Sequence, residues 1–74
     1  MDREPTDTGT IISRDPRVLG GLPVFAGTRV PVRALFEHLE AGDGLDVFLA
    51  EFPNVRRSQA VAVIEAAEQR LLSV

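Results

Sequence analysis

The chain of 74 residues has no cysteine, no lysine and a single histidine. Without cysteine no disulfide can staple the fold, and His38 has no second ligand close by in the sequence, so a structural zinc is excluded too. No apolar run approaches 18 residues, and no basic segment leads into a signal-type apolar stretch, so neither a membrane span nor secretion is expected. The chain reads as cytoplasmic. It also lacks a nucleophile–base pair and any metal constellation. The Gly20-Gly21 pair is followed by Pro23, which interrupts a run of backbone donors, and no lysine follows, so it is not a phosphate loop. No enzymatic activity, cofactor, metal or small-molecule substrate is therefore expected.

What is present is 45% hydrophobic residues, enough for one folded domain and too much for a disordered chain. A core of this size supplies only about 3–5 kcal/mol, so natural chains of similar length add a disulfide, a metal or a partner subunit. With the first two excluded, self-association as a homodimer or binding to a partner protein is expected. The charges are divided unevenly along the chain. Arg14, Arg17, Arg29 and Arg33 face Asp15 alone between Ile11 and Phe36, whereas Glu37 onward carries seven acids against Arg56, Arg57 and Arg70. Arginine suits bidentate contacts with phosphate or carboxylate, although a GC-rich genome yields the same bias without functional meaning.

The opening MDREPTDTGT, residues 1–10, is polar and turn-rich and reads as a flexible tail ahead of a domain over residues 11–74. In that domain, GGLPVFAGTRVPV, residues 20–32, concentrates three glycines and two prolines between short β-prone pieces. Small strands and tight turns are expected there, with Val24, Phe25 and Val30 packing on helices. Helical spacing takes over afterwards. Val32, Leu35, Phe36 and Leu39 form one apolar stripe, opened by Pro31 at its first position and closed by Gly42. Leu45, Phe48, Leu49 and Phe52 form a second, stopped at Pro53, and Ala60, Val63, Ile64, Ala67 and Leu71 form a third over residues 57–72. The link Pro53-Asn54-Val55-Arg56 has the length of a helix-turn-helix turn.

Two helix starts lack a capping side chain, since Gly44 and Arg56 stand where Ser, Thr, Asp or Asn would serve. Arg56 and Arg57 also oppose the dipole of the third helix, an arrangement that an anion such as a DNA phosphate would relieve. The competing expectation is that they reach an acidic neighbour such as Glu51. His38, beside Glu37 on the polar side of the first helix, reads as surface filler.

Taken together, Asp15-Pro16, Gly20-Gly21-x-Pro23, Gly27-Thr28-Arg29-Val30-Pro31-Val32, the helix ending at Gly42, Phe48-Leu49 and Phe52-Pro53 resemble the family known as domain of unknown function 433. The likeness runs from about Ile11 to the end of the chain. It implies a mainly α fold: a small N-terminal β-element, then a three-helix, homeodomain-like or winged-helix-like helix-turn-helix domain. It further implies a VapB-like antitoxin of a type II toxin–antitoxin pair, which binds and neutralises a PIN-like ribonuclease toxin and regulates its own operon by binding operator DNA. This chain departs from the family's usual residues at Leu22, often basic in relatives, and at the cap positions Gly44 and Arg56.

For operator DNA the candidate residues are Arg29, Arg33, Arg56, Arg57, Ser58 and Gln59, with Arg3 in the tail as a further phosphate contact, while Glu65 would repel phosphates. For the toxin or a second subunit they are Arg14, Arg17, Val24, Phe25, Thr28, Arg29 and Val30, because a two-stranded element has edges to satisfy and arginines suit an acidic site. Arg29 has a purely structural alternative, an ion pair to Glu37. The alternative function is a toxin-binding or dimeric interaction module with no DNA binding of its own.

Overall fold

The computed structural model describes residues 11–73, so the expected tail over residues 1–10, with Arg3, lies outside the described residues. Two short strands, β1 (Ile12–Ser13) and β2 (Val24–Phe25), pair antiparallel with Ile12 opposite Phe25 and Ser13 opposite Val24. Three helices follow, α1 (Val32–Glu40), α2 (Leu45–Glu51) and α3 (Arg57–Leu72). The fold is mainly helical, as the stripes predict.

β2 is hydrogen-bonded on both sides despite its length. Toward β1 the Ala26 N–H donates to the Ile11 carbonyl at 2.9 Å; on the other side the Phe25 N–H donates to Val30 and the Val32 N–H to Pro23, each at 3.0 Å. Thr28 fixes the turn between these two segments. Its hydroxyl donates to the Phe25 carbonyl at 2.7 Å and accepts from the Val30 N–H at 3.0 Å, so a single side chain satisfies two backbone groups. The β-element thus holds its shape with almost no strand length.

Pro31 is extended (φ −65°, ψ 141°) and stands just outside α1, so the first helical residue is Val32 rather than the proline. The end of α1 is closed by Gly42 at φ 90°, with Asp43 N–H donating to His38 at 2.9 Å and Gly42 N–H to Leu39 at 3.0 Å. These are the two bonds of a Schellman motif, which needs a left-handed residue at that position. Gly44 precedes α2 in extended geometry and offers no side-chain cap, as its lack of a side chain dictates.

The core is built from Phe25, Leu35, Phe48, Val55, Ala60 and Val63, drawn from β2, the three helices and the α2–α3 link. Phe48 lies at the centre, its ring 5.9 Å from Phe25 and 5.1 Å from Phe52, distances at which tilted aromatic pairs attract. Val24 and Phe25, which the sequence offers both as packing residues and as contacts for a partner, are 2% and 0% exposed. They belong to the core. The α3 stripe is buried only in its first half, at Ala60 and Val63; Leu71 and Leu72 are each 75% exposed, because the last turns of the helix extend past the other elements.

Candidate functional site

The start of α3 is where sequence reasoning places DNA contacts, and the structure divides those residues. Arg56, Arg57 and Ser58 are exposed. Gln59 is 3% exposed and cannot reach a base edge. Its Oε1 accepts from the Arg56 N–H at 3.0 Å while its Nε2 donates to the Ala26 carbonyl at 3.1 Å. Gln59 therefore supplies the reciprocal half of a capping box in which the N-cap arginine cannot play the usual acceptor, and it ties α3 to the β-element. A Gln three residues after a helix start is the sequence signal for this role, masked here by the arginine at the N-cap.

Arg57 pairs with Asp46 in the first turn of α2, not with Glu51. Glu51 is taken by His38. The imidazole Nε2 lies 3.0 Å from Glu51 and Nδ1 lies 2.8 Å from Asp43, while the ring packs edge-on to Phe48 and Phe52 at centroid distances of 5.6 and 5.8 Å. His38 is thus a half-buried brace joining α1, the α1–α2 turn and the end of α2, rather than surface filler. Both ring nitrogens lie within hydrogen-bond distance of carboxylate oxygens. The ion pair to Glu37 is made by Arg33 at 3.5 Å, one helical turn away, in place of Arg29.

Arg14, Arg17, Arg29 and Arg33 are all exposed, on the β-element and the first turn of α1. Thr28 and Val30 are half-buried, and the Thr28 hydroxyl is committed to the turn. Arg17 folds back on Asp15, with its guanidinium Nε and Nη2 and its backbone N–H all donating to the carboxylate at 2.9–3.1 Å. The Arg17 side chain first, and its backbone N–H second, hold the Asp15 carboxyl below the ordinary carboxylate range. Asp15 also accepts through its carbonyl from Val18 N–H at 2.8 Å, so Asp15-Pro16 opens a hydrogen-bonded turn in the positions those residues favour.

Among the described residues, grooves open between elements. One of about 210 Å³ is lined by Leu22, Pro23, Pro31 and Arg33. A wider one of about 480 Å³ runs between Ile11 and Ile12 and the second half of α3, with Ala62, Val63 and Ala66 on its wall and Glu65 and Glu68 at its rim. Among the described residues no group of three metal-ligating side chains is placed to hold an ion, and no helix is long and apolar enough to cross a membrane.

The family model described as "Protein of unknown function (DUF433)" matches residues 12–66, well over half of the chain. The chain belongs to the DUF433 family. Its match covers the ribbon, all of α1 and α2, and α3 as far as Ala66, the region that contains Gln59, His38 and the arginine-bearing turns. A solved DUF433 member from Anabaena variabilis ATCC 29413 is similar at 26% identity and a TM-score of 0.71 over 89% of this chain. This chain spans 65% of the length of that one. No curated protein matches it.

Proposed function

We propose that this DUF433 protein is an antitoxin: a binding module, not an enzyme, that docks on a cognate PIN-like ribonuclease toxin and neutralises it. The exposed arginines at 14, 17, 29 and 33 carry the reading, because they cluster in the part of the chain that is poorest in acids and suit the carboxylates of a metal-dependent nuclease site, although Arg17 and Arg33 would exchange their pairs with Asp15 and Glu37 to do so. Val24, Phe25 and Gln59 drop out as contacts, being consumed by the fold. Thr28 and Val30 act by shaping the turn that presents Arg29.

Operator binding is a second reading, favoured by the exposed Arg56, Arg57 and Ser58 at the start of the second helix of a helix-turn-helix pair. It is the weaker of the two. Gln59 is buried, and Glu65 and Glu68 lie farther along the same helix, where they oppose phosphates. A homodimer would supply the half-site symmetry that such binding requires.

The test mixes the full chain with the product of the adjacent gene and reads complex mass, ribonuclease activity and anisotropy of a duplex from upstream of the start codon. A stoichiometric complex with lost ribonuclease activity is expected. Salt-sensitive binding that prefers this duplex over a scrambled one, abolished by Arg56→Ala with Arg57→Ala, would add the operator role. Absence of both complex and inhibition would refute the antitoxin reading.

A further inference from the structure

Leu72 stands in the last turn of α3, 75% exposed, where the helix runs past the other elements. Helical spacing sets it four residues after Glu68 and three after Gln69, both of which line the 480 Å³ groove, so it extends the apolar wall formed there by Ile11, Ile12 and Val63. Among the described residues nothing covers this strip. Leu19, at φ 50°, and Leu22 are exposed as well, but Arg17 and Arg33 near them already pair with Asp15 and Glu37.

The charges beside the α3 strip are uncommitted and of both signs. Glu65 and Glu68 stand at the groove rim and Arg70 next to the exposed leucine, all three exposed, and the ion pairs among the described residues leave them out. They cannot meet within α3. Arg70 lies five residues after Glu65 and two after Glu68, spacings that turn side chains to different sides of a helix, whereas pairing needs three or four. The residues that precede Ile11 do not answer the rim either, since Asp2, Glu4 and Asp7 against Arg3 bring the sign it already has. A second α3 answers it in full. Two such helices laid antiparallel, with a two-fold axis at the level of Ala67 and Glu68, set Glu65 level with Arg70 of the second copy, Ala66 with Gln69 and Val63 with Leu72, and symmetry repeats each pair.

We infer that the chain dimerises through α3, with Leu72 of each copy seated in the groove of the other and Arg70 of each paired with Glu65 of the other. The dimer is closed, because the same surface serves on both sides. Small side chains at Ala62 and Ala66 let the two helix axes approach. A chain of 74 residues without cysteine gains from the contact apolar burial that its own core is too small to supply. The pairing goes beyond the antitoxin reading and needs no toxin.

Sedimentation equilibrium of the full chain, from micromolar to millimolar concentration, tests it. A dimer is expected within that range, since one helix pair with its groove is small beside a standard interface. Leu72→Ser should weaken it about tenfold or more, because the apolar contact is lost twice per dimer. Arg70→Glu and Glu65→Arg, each placing like charges opposite one another twice, should each weaken it about tenfold. Val47→Ser, at a residue of α2 that is 50% exposed, should leave it unchanged. Mixing the Arg70→Glu chain with the Glu65→Arg chain should restore the dimer, because one chain then carries acid at both positions and the other arginine at both. That rescue also shows that each variant folds. A wild type still monomeric at millimolar concentration overturns the inference, and so does a dimer indifferent to Leu72→Ser and Arg70→Glu, which would lie on another surface. Failure of the mixture to associate refutes the pairing of Glu65 with Arg70. A chain that is monomeric alone, but whose complex with the adjacent gene's product weakens on Leu72→Ser, assigns the groove to that protein instead and leaves the antitoxin reading standing.

Discussion

Two joints hold this small molecule together, and they use opposite chemistry. Where α3 meets the β-element, the contacts are neutral: the buried Gln59 amide bonded to Ala26 and Arg56, beside the half-buried Thr28 hydroxyl closing its own turn. Where α1 meets α2, the contact joins an imidazole to carboxylates nearer the surface, with the half-buried His38 between Asp43 and Glu51 over the rings of Phe48 and Phe52. The neutral joint should be indifferent to salt and carry a large penalty when broken, since a buried donor or acceptor has no water to fall back on. The histidine joint should be weaker, because its carboxylate partners are partly exposed and water competes for them. A domain without cysteine therefore secures the joint between α3 and the β-element by neutral bonds and keeps its ion pairs near the surface.

The largest effect is expected at Gln59. Gln59→Ala strands the Ala26 carbonyl and the Arg56 N–H together, which costs on the order of 2–4 kcal/mol if neither finds water. Urea unfolding should show this loss equally at low and high salt. Gln59→Glu sharpens the comparison, because a carboxylate can still accept from the Arg56 N–H but faces the Ala26 carbonyl with no proton to donate. A glutamate variant as stable as the wild type would mean that the Ala26 bond contributes nothing and that the joint is held by packing.

What could be read from the sequence was set by periodicity, and what could not was set by distance along the chain. The three helices follow from stripes such as Val32, Leu35, Phe36 and Leu39, and the stop at Gly42 from a glycine where a left-handed residue is needed. The Gln59–Ala26 bond spans 33 residues and leaves no local trace, so Gln59 reads from the sequence as a polar residue on a recognition helix. His38 reads as surface because its acidic neighbour in sequence is Glu37, whereas the carboxylates it meets are brought in by the Schellman turn and by α2. Leu19 is the least legible of all. An aliphatic residue before two glycines looks ordinary until its φ is known.

A smaller effect is expected at the histidine joint. His38→Ala removes a ring that packs on two phenylalanines and frees two exposed carboxylates, for a cost of about 1–2 kcal/mol after allowance for solvent. His38→Phe separates the two contributions, since it restores edge-on packing without any donor. Recovery of the full wild-type stability in the phenylalanine variant would show that the carboxylate contacts contribute nothing, and recovery of none of it would place the whole contribution in the hydrogen bonds.

The smallest expected effect lies at the turn that leads into Leu19, and its sign follows from linkage. Arg17 lowers the Asp15 carboxyl pKa in the folded chain below its unfolded value. The unfolded state then takes up a proton first as the pH falls, so the contribution of Asp15 is present above about pH 4, the ordinary carboxylate value, and is lost as the pH drops through the lowered folded value. Asp15→Asn keeps an acceptor for the Arg17 N–H but loses the charge. The difference in melting temperature between wild type and Asp15→Asn should therefore be small and positive near neutrality, should shrink as the pH falls below about 4, and should shrink further in high salt because the group is at the surface. Melting curves from pH 7 to pH 2 at two salt concentrations measure it. A difference that stays constant through the acid range would mean that the Asp15 charge has no part in holding the turn, and that its carbonyl bond to Val18 and the proline alone set the approach to Leu19.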